Sequence, residues 1–197
     1  RREYFRGVRA RLEAAGHTVH VVRVAPAAGV ELRAAQLARQ VMALRAERVN
    51  IIAHSMGGLD ARYAIARLGL DARVASLTTI GTPHRGTPLA DTGASWLGEW
   101  RHVRQMLDTL GANVDGLYDL TTERMEGFNR AVHDAAGVFY SSIVGAIPEE
   151  PSRRRTLLTP GHAYLLRTAG SNDGIVPTES QKWGQVGVFS AGYAFHP

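Results

Sequence analysis

Val49-Asn50-Ile51-Ile52-Ala53-His54-Ser55-Met56-Gly57-Gly58-Leu59-Asp60-Ala61-Arg62 decides how the rest of the chain is read. Val49, Ile51 and Ile52 make a β-branched strand, and Leu59, Tyr63 and Ala66 fall at helical spacing before Gly69, so one serine sits between strand and helix. A small-x-Ser-x-small pentapeptide at such a junction forces the serine into a strained turn. The turn is bearable only where the residues two before and two after it have almost no side chain. Ala53 and Gly57 meet that need; alanine in place of the commoner glycine keeps the steric logic. Ser55 therefore reads as a nucleophile. The competing readings are an ordinary serine in a glycine-rich turn and a phosphate-cradling loop. The flanking strand and helix argue against the first. The second lacks both Gly-Lys-Ser/Thr and Gly-x-Gly-x-x-Gly.

Working outward, residues 2–15 place Tyr4, Phe5, Val8 and Leu12 on one helical face ending at Gly16. His17–Val24 is rich in β-branched residues and reads as a strand closed by Pro26 and Gly29, with a helix over about 31–47 after it. Beyond the serine helix, Arg73–Ile80 and Val138–Val144 read as strands, and Thr121 and Thr122 cap a helix carrying Met125, Phe128 and Val132. Strands alternating with helices imply a parallel sheet covered by helices, an α/β fold. Between His84 and Gly127 the alternation lapses for longer than a crossover needs. Trp96, Trp100, Val103, Leu107 and Leu110 recur there at helical spacing, which fits a lid and a core helix equally. The final third, with Pro148, Pro151, Pro160 and Gly161, reads as short pieces, with a short helix from Glu179 to Trp183 and a last apolar stretch from Val186 to Phe189.

A chain of 197 residues that is 45% hydrophobic can bury one sizeable core, so a single domain over 1–197 is expected. The net charge of +5 comes from 23 basic residues against 18 acidic ones, and Lys182 is the sole lysine. The arginines are scattered over helical patterns, as on solvated faces, and the run Arg153-Arg154-Arg155 is short and lacks aromatic stacking partners. A nucleic-acid partner is not expected. Absence of cysteine excludes disulfides, thiolate zinc sites and a thiol nucleophile. No apolar run reaches the roughly 18 residues of a membrane span, and the opening residues form a charged amphipathic pattern unlike a signal peptide. Localisation and oligomeric state are not legible.

A serine hydroxyl attacks an ester only when a histidine takes its proton and an acid orients that histidine. In sheets of this type the order along the chain is Ser, then Asp or Glu, then His. His196 alone comes after the turn at Asn172-Asp173-Gly174, so Asp173 and His196 are the chosen partners. Asp173 also fits an Asx turn, and His196 also fits a chain-end residue. His54 and His84 read as packing or loop-supporting residues. The backbone N–H of Met56, which opens the helix after the nucleophile, is one oxyanion donor; the second is not visible.

These residues resemble the bacterial triacylglycerol lipases of the α/β-hydrolase superfamily, those of Pseudomonas and Burkholderia and their esterase relatives. The resemblance runs from Arg2 to about Trp183 through Ala53-His54-Ser55-Met56-Gly57-Gly58, Gly81-Thr82-Pro83-His84-Arg85-Gly86-Thr87, Leu120-Thr121-Thr122 and Asn172-Asp173-Gly174-Ile175-Val176-Pro177. It implies the α/β-hydrolase fold, Ser55 as nucleophile, Asp173 as acid, a helical lid insertion within about 88–120, and a fatty-acyl or other carboxylic ester substrate met at a lipid–water interface. Three departures stand out. The family's strand ending in a His-Gly-Phe-like oxyanion loop precedes its opening helix, whereas this chain starts inside that helix, so the first strand and oxyanion loop are expected to be missing. The family's histidine is succeeded by an acid and a closing helix, whereas Ala194-Phe195-His196-Pro197 ends this chain. The acid that binds the family's structural calcium is not present, so no calcium and no other cofactor is expected. The reading is a serine ester hydrolase; its rival is a weak or silent homologue, or a fragment, acting as a binding protein.

Overall fold

The computed structural model of the chain describes residues 5–26, 28–92, 118–148 and 158–187. Strands β1 (Val49–His54), β2 (Val74–Ile80), β3 (Phe139–Ile143) and β4 (Gln185–Gly187) form one parallel sheet in that spatial order. Parallel neighbours need crossovers, which here are helical. α1 (Val8–Ala14) and α2 (Val30–Met42) precede β1, and α3 (Met56–Arg67) joins β1 to β2. After β2 come α4 (Pro88–Asp91) and α5 (Thr122–Ala131); α6 (Thr159–Thr168) and α7 (Thr178–Gln181) lie between β3 and β4.

The core arises from the apolar stripes. Ala34, Leu37 and Val41 of α2 pack with Ala61, Ala64 and Ile65 of α3 against Val74, Leu77 and Tyr140 of the sheet. A second cluster joins Val30, Met56, Leu59, Ala90, Leu120 and Met125, so the start of the serine helix is packed between α2, α4 and α5. Asp60 of α3 is 2% exposed and pairs with Arg33 of α2, whose Nη2 lies 2.8 Å from Oδ2. Arg33 Nη1 also reaches the carbonyls of Ala25 and Pro26 at 3.5 and 3.4 Å. Burial outweighs the ion pair and pushes the Asp60 pKa up to about 6.

Four expectations are corrected. Residues 17–24 alternate in exposure only over 21–24, where Val22 and Val24 pack on the core, and the segment joins no ladder among the described residues. Its backbone is bonded by side chains of α2 instead: Gln40 Oε1 accepts from the Arg23 N–H at 3.3 Å and Gln40 Nε2 donates to the Arg23 carbonyl at 2.7 Å. Gln36 Oε1 accepts from Ala25 N–H, also at 2.7 Å. A primary amide supplies the donor and acceptor that a neighbouring strand would. The second helix ends at Met42 rather than 47, because Arg73 donates to the carbonyls of Leu44, Ala46 and Glu47 and holds those residues in a turn. Residues 2–4 lie outside the described residues; from there on the first helix runs only over Val8–Ala14 and buries none of its residues, with Val8 41% exposed. Pro160-Gly161 does not break structure but opens α6, where proline's missing N–H costs nothing.

His196, Trp96, Trp100 and Arg153–Arg155 lie outside the described residues. Among those described, no helix is long and apolar enough to cross a membrane.

If Gln36 and Gln40 stand in for a strand, replacing each by leucine is expected to cost about 1 kcal/mol. Hydrogen exchange should accelerate at the Arg23 and Ala25 amides while β1 amides keep their protection.

Candidate active site

Ser55 carries φ 52° and ψ −134°, the one positive φ outside glycine among the described residues. The strand delivers it there: Ser55 N–H donates to the Ile80 carbonyl at 3.0 Å, continuing the β1–β2 ladder, and the Ser55 carbonyl already accepts from Gly58 N–H at 3.1 Å as the helix begins. Ser55 is half-buried at the carboxyl end of the sheet, where open α/β sheets bind their ligands. Met56 is the first residue of α3, so its N–H is among the helix's unpaired first-turn donors.

The space around this turn is tightest one residue later than the pentapeptide suggests. A Cβ on Gly57 would lie 3.9 Å from Ala53 Cβ, an ordinary contact between two positions that must both stay small. A Cβ on Gly58 would lie 2.7 Å from Thr82 Cγ2 and 2.9 Å from Thr79 Cγ2. Gly58 thus leaves no room for a side chain between the helix and the Thr79 and Thr82 side chains.

Asp173 lies on the turn between α6 and α7, above the ends of two strands. Its Oδ2 is 3.5 Å from where a Cβ on Gly81 would sit, just beyond β2, and its Cβ is 3.8 Å from the same position on Gly145, just beyond β3. Asp173 Oδ1 accepts from the N–H groups of Ile175 and Val176 at 2.9 and 2.8 Å. Burial raises its pKa, opposed by those backbone bonds. The bond to Ile175 is itself an Asx turn, as the Asn-Asp-Gly wording allows, and Asn172 makes a second one beside it, its Oδ1 accepting from Gly174 N–H at 2.8 Å. Ser55 and Asp173 are therefore brought to one edge of the sheet. His54 flanks the same Gly81 position, with Nε2 at 3.7 Å, and packs edge-on against Phe5.

Several residues that hold this site were not singled out from sequence. Gln181, fully buried, accepts from Gly145 N–H at 2.8 Å and donates to the carbonyls of Gly145 and Val176, tying the acid's turn to the end of β3. Thr82, also fully buried, donates its hydroxyl to the Ser55 carbonyl at 2.8 Å. Arg62 of α3 is 1% exposed, lies 3.5 Å over the Trp183 ring, and donates to Asn129 Oδ1 and the Val132 carbonyl. Its Nη1 is 3.3 Å from His84 Nδ1, and His84 Nε2 is 3.0 Å from Thr79 Oγ1. A guanidinium only donates, so His84 accepts at Nδ1 and carries its hydrogen on Nε2. Burial, then the Arg62 and Arg85 cations, push the His84 pKa down to about 2. The loop after β2 is thereby fastened to the serine helix through a neutral histidine. For Thr82 and His84 the signal in the sequence was the Gly81–Thr87 wording, which names the residues but not their partners; Gln181 had none.

Gly58→Ala is expected to cost about 1–3 kcal/mol by overpacking, and Gly57→Ala less than 1 kcal/mol, in urea unfolding. Between pH 7 and pH 5 the unfolded chain protonates His84, whose ordinary value is 6.5, while the folded chain does not. His84 alone then removes about 2 kcal/mol of stability over that interval. Asp60 acts oppositely: its folded pKa lies above its unfolded value of 3.8, so acidification through about 6 favours the folded state. Denaturation at both pH values should show a smaller acid-induced loss in His84→Gln and a larger one in Asp60→Asn.

Comparison with known proteins agrees with the fold. A family model described as a PGAP1-like alpha/beta domain matches residues 35–110. The chain is 34% identical over 193 residues to Triacylglycerol lipase 2 of Saccharomyces cerevisiae, covering 93% of this chain and 58% of that protein. It is 39% identical over 92 residues to a triacylglycerol lipase of Pseudomonas fragi, covering 45% of this chain and 31% of the lipase. The crystal structure of the metagenomic carboxyl esterase MGS0156 matches with TM-score 0.77 at 26% identity, over 93% of this chain and 57% of the esterase. The chain spans less than two thirds of the length of each. With its parallel sheet and a strained serine between strand and helix, the chain has the α/β-hydrolase fold and is similar in sequence to triacylglycerol lipases.

Proposed function

We propose that the chain is the catalytic core of a serine ester hydrolase acting on fatty-acyl or other carboxylic esters. The observation that carries this is Ser55 at φ 52° and ψ −134° on the carboxyl edge of the sheet that also carries Asp173. Backbone in that region costs roughly 1–3 kcal/mol and persists where the surroundings enforce it. Such strain thrusts the hydroxyl clear of the sheet while the helix start aims an N–H at the same place.

In this mechanism His196 takes the Ser55 proton as Ser55 Oγ bonds to the acyl carbon. Asp173 holds the resulting imidazolium, and the Met56 N–H donates to the oxyanion. Collapse breaks the bond to the alcohol, which leaves with the proton from His196. A water, deprotonated by His196, then cleaves the acyl–serine ester and restores the hydroxyl. The carboxyl group of Asp173 suits its role: one oxygen is fixed by two backbone N–H groups, which sets the plane of the other.

The same reading takes residues 1–197 as one domain with a lid-like insertion at about 88–120 that meets a lipid–water interface. What supports it is the closeness of the insertion's described ends. Thr122 donates through its N–H to Asp91 Oδ1 at 2.7 Å and through its hydroxyl to Oδ2 at 2.9 Å, and Thr87 N–H donates to the Leu120 carbonyl at 3.0 Å.

The test is hydrolysis of p-nitrophenyl esters of short and long acyl chains, with mass-spectrometric mapping of a fluorophosphonate label. The label is expected on Ser55. Ser55→Ala and His196→Ala should lower kcat by roughly 10⁴-fold or more, and Asp173→Asn by roughly 10³- to 10⁴-fold. A parent chain that hydrolyses no ester and takes no label would favour the silent homologue.

A further inference from the structure

We propose that Thr82 is a positioning residue that sets the direction and strength of the Met56 N–H as an oxyanion donor. This rests on the reading of Ser55 as nucleophile and of Met56 as one half of its oxyanion site. The Ser55 carbonyl and the Met56 N–H are opposite ends of one peptide unit, which is planar and resists twisting. Fixing the oxygen at one end therefore fixes the hydrogen at the other.

That oxygen accepts two bonds. One comes from Gly58 N–H at 3.1 Å, within the helix, and moves with it. The other comes from the Thr82 hydroxyl at 2.8 Å, from the loop after β2, and refers the peptide to the sheet. Thr82 cannot move with a drifting elbow. It is fully buried, and its methyl and that of Thr79 close on Gly58. The flanking residues are fastened too: Gly81 N–H donates to the Ile143 carbonyl at 3.1 Å and His84 N–H to the Ser180 carbonyl at 2.9 Å, while the His84 ring is held between Thr79 and Arg62. A second effect acts through charge. A carbonyl that accepts a hydrogen bond polarises its own peptide, so the N–H across the bond donates more strongly, and in a partly buried site this cooperativity is felt more than in water. Oxyanion donors work by being aimed before the charge develops, which is what a fixed peptide plane provides.

The experiment compares the parent with Thr82→Val, which keeps the shape and loses the hydroxyl, and Thr82→Ser, which keeps the hydroxyl. Ester hydrolysis is measured as kcat and KM on p-nitrophenyl butyrate, fluorophosphonate labelling of Ser55 as a rate per folded molecule, and thermal midpoints for all three. Thr82→Val is expected to lower kcat and the labelling rate together by roughly 10- to 100-fold, less than or equal to the loss of a direct donor, with KM unchanged. Thr82→Ser should stay within a few-fold of the parent. Should Thr82→Val fail to fold, Thr82→Ala takes its place, since alanine and serine both lack the methyl and differ in the hydroxyl. Equal kcat and labelling rates in the hydroxyl-free variant, or a change confined to KM or to the thermal midpoint, would overturn the role of Thr82 and leave Ser55 standing. A parent chain unlabelled at Ser55 would overturn both.

Discussion

The left-handed backbone of Ser55 is the constraint on which the rest of this structure depends. Nothing local favours it: a residue with a Cβ gives up roughly 1–3 kcal/mol to sit there. It is held from three sides, by the β2 ladder at its N–H, by the helix start at its carbonyl, and by Thr82 at that same carbonyl. The first and the third need the parallel pairing of β1 with β2 in its observed register, Ala53 beside Thr79 and His54 beside Ile80. A shift of one residue would present the serine to the wrong face and bring Gly58 away from Thr82.

Around this point the protein uses buried polar side chains where a simpler fold would use backbone or hydrocarbon. Gln181 joins the acid's turn to β3 and Asn172 shapes that turn, while the half-buried Gln36 and Gln40 bond the backbone of Arg23 and Ala25. Arg62, stacked on Trp183 and bonded to His84, reaches from the serine helix to the loop that carries Thr82. Buried polar groups are costly unless paired, and once paired they permit fewer arrangements than an apolar contact does. The consequence for function is rigidity: the turn of Asp173 and the elbow of Ser55 are each tied to the sheet through side chains that admit one geometry.

Much of the architecture was legible along the chain. The runs of β-branched and aromatic residues at 49–54, 74–80 and 139–143 became strands because such side chains suit a pleated, half-buried surface, and the stripe from Ala34 to Val41 became a core face because helical spacing aligns it. Residues 17–24 defeated that logic: they have the composition of a strand, but a ladder requires a neighbouring backbone, and here glutamine side chains bond the backbone of Arg23 and Ala25 at the segment's end. Pro160-Gly161 misled in the opposite direction, since proline marks a helix start as readily as a break, and only the residues after it decide between them.

The sequence by itself determined the order and type of the main elements and singled out Ser55 and Asp173, because small residues around the serine and the Asn-Asp-Gly turn are local requirements, written at fixed spacing. The tertiary structure alone decided that Gly58 faces the Thr79 and Thr82 side chains with no room for a Cβ, that Thr82 bonds the Ser55 carbonyl, and that His84 is neutral between Arg62 and Thr79. Those facts join residues that lie up to 27 positions apart, and depend on strand register and burial, quantities that no local pattern encodes.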